Sequence, residues 1–353
     1  MNIIAKEVQV ATLMVGDACD HLRDKLGLKE HHDDNVVSGR IFVTGAQGVL
    51  GYRVAQRLLN AGHPSTRIGY RQPDDLGDFA DQLSSQGAEV VHFDWKDKTT
   101  FSSALDGVKI VFCELPYFVN WAQAFPAFLR ACEKAGVEYF VKVSFYHARN
   151  ENEIYQKANF VRLHAACDDL LSRSSIPYTI LSASHLMSNP LVMHHAEDAG
   201  KDKEKPIVLY GASEGKNINY VSPNDIAEVA TRVIMYSKPH MRKEYTLTGL
   251  QPISDDDLAC ALAKHSKRPV FYEDLPINML VQKEEDGFTS VDDVDWKVRD
   301  FIGLEKLKAT GLEEDVNFVS HDIEMICKRK PETIDEYLQA TESMTPLEKW
   351  IFE

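Results

Sequence analysis

Three glycines at a fixed spacing carry the clearest chemistry in this 353-residue chain. They stand in Thr44-Gly45-Ala46-Gln47-Gly48-Val49-Leu50-Gly51, directly after the β-favouring run RIFV and at the start of the helix-like stretch VLGYRVAQRLLNAG. Each has a separate task. Gly45 permits a tight turn, Gly48 lets backbone approach a pyrophosphate, and Gly51 lets the helix pack close to the strand. The helix that begins at Val49 and Leu50 then offers free N–H groups and the positive end of its dipole to the phosphates. A glycine triplet alone is a weak signal. Between a strand and a helix that open a βαβ unit it reads as a dinucleotide loop, the alternative being a purely structural turn.

About twenty residues onward, an NAD-selective loop carries an Asp or Glu for the ribose 2′-hydroxyl. This chain has Tyr70-Arg71-Gln72 there. A guanidinium suits a 2′-phosphate through paired charge-assisted hydrogen bonds, so NADP(H) is expected over NAD(H). A solvated arginine at a strand end is the alternative. Asp94, after the third strand, is placed to meet the adenine edge. Leu115 and Pro116, after the fourth, are placed against the middle of the cofactor.

Those residues need a scaffold, and the chain from Gly39 onward supplies its pattern. Short apolar runs (RIFVTG, STRIGYR, AEVVHFD, VKIVFCELP, VEYFVKVSF, IPYTILSAS) alternate with amphipathic stretches of roughly ten residues or more. Repeated βαβ units of this kind predict an α/β fold of the Rossmann type, a doubly wound parallel sheet covered on both faces. The regularity fades after Leu186. Ser222-Pro223-Asn224-Asp225 then reads as a helix start, with Ser222 capping and Pro223 at the first helical position. The expected organisation is a polar helical extension over 1–36, a nucleotide-binding domain over 37–237 with 186–216 contributing to a second lobe, and a smaller carboxy-terminal α+β lobe over 238–353. A cleft between lobes is where small ligands usually bind.

Composition excludes several classes. Thirty-nine Lys and Arg against 54 Asp and Glu give a net charge of −15, a surface that repels nucleic-acid backbones and anionic lipids. The basic runs Lys201 to Lys205 and Lys328-Arg329-Lys330 lie among acids and read as solvated faces. Cys19, Cys113, Cys132, Cys167, Cys260 and Cys327 form no CxxC pair, which argues against a zinc site or a secreted disulfide framework. His31 and His32 have no spaced third ligand, so no metal is expected. No signal core and no run of ~20 apolar residues is present, so a cytoplasmic protein is expected, with no membrane association.

At this point the segments TGAQGVLG, YRQP, VHFDWKD, IPYTILSASHLMSN and INYVSPNDIAEVA together resemble the NmrA-like branch of the atypical short-chain dehydrogenase/reductases, including its quinone-reductase and isoflavone-reductase group. The likeness runs from about Gly39 to RKPETIDEYLQAT and is looser in the last third. It implies a Rossmann domain with a small substrate lobe, and a family that holds NADPH-dependent reductases and non-catalytic NADP(H) sensors. In the wider superfamily a helical Tyr-x-x-x-Lys moves the proton and holds the nicotinamide ribose. The matching helix here reads Phe160-Val161-Arg162-Leu163-His164, and phenylalanine cannot transfer a proton. Tyr155 and Lys157 stand at i and i+2 on different helical faces and make no substitute dyad.

The resemblance gives His164 the position of a cofactor-ribose or catalytic group, with a histidine satisfied between helix and sheet as the alternative. It makes Ser144 the substrate-facing serine after the fifth strand, in contact with cofactor and substrate, followed by Tyr146 and His147. Tyr117, Phe118 and Trp121, with His185, Met187 and Asn189, would ring the nicotinamide; an aromatic wall suits a flat, apolar substrate, though these positions also fit a core. The expected function is an NADPH-dependent reductase of a small-molecule quinone or conjugated carbonyl. The alternative is a non-catalytic NADP(H) redox sensor acting through a protein partner.

Overall fold

The computed structural model describes residues 37–63, 65–71, 78–115, 121–149, 155, 158–192, 205–280, 294–341 and 344–349. The extension expected over 1–36 lies outside them. Seven strands form one sheet: β1 (Arg40–Val43), β2 (Thr66–Tyr70), β3 (Glu89–His92), β4 (Val108–Cys113), β5 (Tyr139–Phe145), β6 (Tyr178–Ala183) and, after two short strands and a lobe strand, β10 (Lys243–Leu247). Their order is β10-β6-β5-β4-β1-β2-β3, and every pairing is parallel. Parallel strands buried on both faces are largely apolar: Ile41, Phe42 and Val43 are fully buried, and β5 is buried along its whole length, with Lys142 and Ser144 as polar exceptions within it.

Helices α1 (Val49–Asn60), α2 (Asp78–Ser85), α3 (Trp121–Ala135), α4 (Asn159–Ser172) and α5 (Pro223–Met235) cover the two faces. Leu50, Val54, Leu58, Ile226, Val229 and Val233 pack α1 and α5 onto one side with Val43 and Ile68. The other side is aromatic. Phe128 of α3 lies 4.8 Å from Trp95, 5.3 Å from Phe101 and 5.4 Å from Phe93, ring centre to ring centre. Truncating so enclosed a ring typically costs about 3–5 kcal/mol. Ser222 caps α5 by accepting from the Asn224 N–H at 3.1 Å, with Pro223 in the first turn.

The boundary expected after residue 237 is displaced. Lys243–Leu247 is β10, the seventh strand of the main sheet, and α8 (Asp322–Cys327) packs Ile323 and Ile326 onto the same core. The smaller lobe is built from β8 (Ile207–Gly211) paired with β11 (Val270–Asp274), from α6 (Asp255–Ser266), α7 (Val294–Ala309) and α9 (Ile334–Gln339). A ribbon of β7 (His185–Leu186) and β9 (Tyr220–Val221) joins it to the carboxyl edge of the sheet. One long-range clasp ties α1 to the last described turn, α10 (Pro346–Lys349). Arg53, 1% exposed, donates through both terminal nitrogens to Glu348 at 2.9 Å, and through Nε to Asn224 at 2.9 Å.

Candidate active site

The glycine loop lies at the carboxyl ends of β1 and β4, where the strand order reverses and open α/β sheets place their ligands. The Thr44 N–H bonds the Phe112 carbonyl at 3.0 Å, continuing the β1–β4 ladder. Gly45 then turns the chain at φ +69°, a left-handed conformation that favours glycine. A side chain at Gly51 would place Cβ 2.3 Å from the Gly45 carbonyl carbon and oxygen, so α1 meets the loop backbone to backbone. Val49 and Leu50 bury their side chains in the core while their amides open the helix. The Gly48 cap supplies no side-chain acceptor, and the first turn of α1 holds no acidic residue. The cradle therefore suits a pyrophosphate: no Cβ at Gly45 or Gly48, and first-turn N–H groups without intrahelical partners.

A residue not anticipated from sequence reaches the same place. Glu114, one residue beyond β4, accepts from the Gly51 N–H at 2.7 Å and also from the Leu50 amide. A Cβ at Gly45 would fall 2.6 Å from its Oε2, and one at Gly48 would fall 3.3 Å from its Oε1. Thr44 fixes the stem, its hydroxyl donating to the Glu114 carbonyl at 2.9 Å and accepting from the Glu114 N–H at 3.0 Å. Burial pushes the Glu114 carboxyl up to about 7, against the opposing pull of the two amides and Arg53.

Arg71 follows β2 directly and is exposed. Gln47 lies in the loop at intermediate exposure. Asp94 follows β3, where its carboxylate accepts from the Lys96 N–H at 2.8 Å in a local turn. Leu115 is buried beside β4 in the aromatic face of the core. Pro116, Tyr117 and Phe118, and the side chain of Trp121, lie outside the described residues.

Ser144 and His164 come together around a buried ion pair. Lys142 of β5 donates to Asp168 of α4 at 2.7 Å, with both side chains 1% exposed or less. Ser144 donates to the other Asp168 oxygen at 2.5 Å. His164 Nδ1 lies 3.2 Å from Lys142 Nζ; an ammonium has no acceptor, so Nδ1 accepts and the ring proton sits on Nε2. Burial, reinforced by the Lys142 charge, holds His164 well below the usual imidazole range, and its ring lies edge-on to Phe160 at 4.6 Å. This arrangement fits a neutral histidine held between helix and sheet.

The carboxyl edge of β5 and β6 opens toward the smaller lobe. His147, in the turn two residues beyond β5, takes φ +56°, an uncommon conformation for a side-chain-bearing residue. Tyr146, fully buried, and His185 stand near Glu313, whose Oε1 lies 3.2 Å from His185 Nε2 and whose Oε2 accepts from the Asn219 N–H at 2.9 Å. Burial opposes the Glu313 charge, but His185 and these hydrogen bonds hold its carboxyl below the ordinary value. His185 and Asn189 line a cavity of about 60 Å³ together with Tyr210, Tyr220, Tyr272 and Phe301. Met187, expected beside the nicotinamide, packs instead into the core of the smaller lobe with Leu191 and Leu209.

The cavity holds a second charged group missed from sequence. Lys308 of α7 lies 2.8 Å from Glu305 and 3.9 Å from Asp255, while Tyr220 donates to Asp255. Burial alone would strip the Lys308 proton; the neighbouring carboxylates raise it well above the ordinary lysine value. Among the described residues no group of three or more His, Cys, Asp or Glu could hold a metal, and no helix is long and apolar enough to cross a membrane.

Comparison with known proteins gives the family and the fold. Residues 45–235, more than half of the chain, match the NAD(P)H-binding family, to which the chain belongs, in its NmrA-like, atypical short-chain dehydrogenase branch. It is 25% identical over 301 residues to an uncharacterized oxidoreductase, YesF, of Bacillus subtilis, covering 85% of this chain and 94% of that one. It is 28% identical over 242 residues to quinone oxidoreductase 2 of Escherichia coli, covering 67% and 77%, and 27% identical over 233 residues to an NAD(P)H azoreductase of Xenophilus azovorans, covering 66% and 76%. The fold is shared with the NADPH complex of the Escherichia coli NADPH-dependent quinone oxidoreductase (TM-score 0.67, 24% identity, 86% of this chain and 99% of that one). It is shared equally with the NADP(H) complex of Citrobacter sp. triphenylmethane reductase (TM-score 0.66, 20% identity, 85% and 99%).

Proposed function

We propose that the protein is an NADPH-dependent reductase of a small quinone or conjugated carbonyl compound. The observation that carries this reading is the cavity between the smaller lobe and the end of β6, where Tyr210, Tyr220, Tyr272 and Phe301 meet the carboxylate-backed His185, two strands from β4 in the order of the sheet. Thr44, Gly45, Gly48 and the first-turn amides of α1 would hold the pyrophosphate, and Arg71 the 2′-phosphate. When bound, the nicotinamide supplies a hydride. Tyr210, Tyr220, Tyr272 and Phe301 would stack a flat conjugated substrate, and Lys308 would orient an oxygen on it. Glu313 would accept the Nε2 proton of His185, and Nδ1, taking a second proton from solvent, would deliver that proton to the reduced oxygen. Lys142, Asp168, Ser144 and His164 fix the junction of β5 and α4 against which the ribose end would lie.

The test is a panel of quinones and enones, with loss of the reduced-nicotinamide absorbance as readout. Turnover of at least one member, slowed in His185→Asn with NADPH affinity retained, supports the reading; NADPH binding with no member turned over overturns it. Phe160, in place of the proton-relay phenol, favours a second reading, a sensor whose partner reads the NADP⁺ to NADPH ratio. That reading requires unequal affinities for the two forms, measured by calorimetry, and no turnover on the panel.

A further inference from the structure

The cradle that suits a pyrophosphate already holds a carboxyl group of the chain itself. Glu114 is bonded to the Gly51 N–H at 2.7 Å and to the Leu50 amide, and its Oε2 fills the space that the missing Cβ of Gly45 leaves. Two further features show that this placement answers a need of α1. The helix has no side-chain cap and no acidic residue in its first turn, so Glu114 is the anion at its positive end. The Glu114 backbone is clamped in both directions by Thr44, which keeps the side chain at the loop.

A phosphate and an ionised carboxylate cannot share one helix end without mutual repulsion. We propose that Glu114 is the affinity-determining residue of the dinucleotide cradle: its carboxyl acts as an internal ligand in competition with the pyrophosphate, and binding of the dinucleotide takes up one proton there, from solvent. The inference rests on the cofactor reading above.

The groups facing Glu114 do not remove the conflict. Arg53 on α1 lowers its proton affinity, but that guanidinium is already bonded to Glu348 and Asn224. The Cys113 thiol of its own strand is pushed up by burial and stays neutral. The loop Thr44 to Gly48 contributes no ionisable side chain. With its carboxyl near 7, Glu114 titrates in the range where the competition is felt.

The experiment is calorimetric titration of NADPH into the full chain and into Glu114→Gln, from about pH 6 to about pH 8.5, in buffers of different ionisation enthalpy. Glutamine keeps an oxygen for the Gly51 amide and removes the charge. The native protein should bind about thirtyfold more weakly at pH 8.5 than at pH 6, with net proton uptake, beyond any change seen in the variant. Glu114→Gln should lack that excess slope and bind more tightly above about pH 7; the titration of NADPH itself is common to both proteins and cancels in the comparison. Equal slopes and equal affinities, or proton release on binding to the native protein, overturn the role of Glu114 while leaving the cofactor reading intact. Absence of binding by both proteins at every pH overturns the cofactor reading and this inference with it. Should Glu114→Gln not fold, as judged by circular dichroism, proton uptake by the native protein decides: a value no greater than NADPH takes up in binding a nucleotide site without an acidic neighbour overturns the proposal.

Discussion

Replacing Asp168 by alanine tests how the β5–α4 junction is held. Lys142 and Asp168 are both essentially inaccessible, 2.7 Å apart, and Asp168 also receives the Ser144 hydroxyl. Removing the carboxylate strands an ammonium in the interior and leaves Ser144 without its acceptor. Breaking one side of such a pair costs about 3–5 kcal/mol, mostly the penalty of an uncompensated charge. At roughly 2 °C per kcal/mol for a chain of this size, the Tm of Asp168→Ala should fall by about 6–10 °C. The sign with pH is distinctive. A stranded lysine favours its neutral form in the folded state, so the unfolded chain binds more protons and the variant should recover stability as pH rises toward the ordinary lysine range. Adding Lys142→Met should recover most of the loss, because the stranded charge is gone. Denaturant titrations of the native, single and double variants at neutral and alkaline pH measure all three effects. A single variant within 1 kcal/mol of the native protein, or a deficit that neither alkali nor Lys142→Met reduces, would refute the assignment of the ion pair as the strut of this junction.

Other substitutions probe the site directly. Gly51→Ala forces a methyl within 2.3 Å of rigid Gly45 backbone, so NADPH affinity by fluorescence titration should fall at least tenfold. Arg71→Glu should weaken NADPH by tenfold or more while sparing NADH, narrowing or inverting the ratio of the two dissociation constants. His164→Ala should lower Tm while leaving the pH profile of kcat unchanged, whereas His185→Asn should lower kcat by about 10²–10⁴ and flatten that profile. A reversal of these last two outcomes would return the proton-donor role to His164.

The parts of this architecture legible in the sequence are those whose information is local. The turn at Gly45, the close approach at Gly51 and the Ser222 cap each follow from a few adjacent residues, and the alternation of apolar runs with amphipathic stretches indicates the parallel sheet. Residues that matter through distant partners were not legible. Lys142 in VEYFVKVSF had a readable signal, a charge inside an otherwise apolar strand, but its partner Asp168 lies 26 positions away. Glu114 meets the glycine loop only because β4 lies beside β1, with 63 residues separating it from Gly51. Lys243–Leu247 looked like the start of another lobe because its partner in the sheet, β6, ends 60 residues earlier at Ala183. His164 read either as a chemical group or as a histidine held between helix and sheet, and its neighbour Lys142, 22 positions away, was not legible from the helix.

The clasp between Arg53 and Glu348 bears on how the crevice matures. Its two ends are 295 positions apart, so a chain emerging from the ribosome makes the nucleotide-binding helix long before it makes the carboxylate that neutralises that helix's buried guanidinium. Until residue 348 is in place, α1 carries a charge it cannot bury, and the amides at its start have no firmly seated frame. Molecules clipped before residue 348 would then be expected to hold the dinucleotide less firmly, because the helix that receives it would lack the carboxylate paired with Arg53.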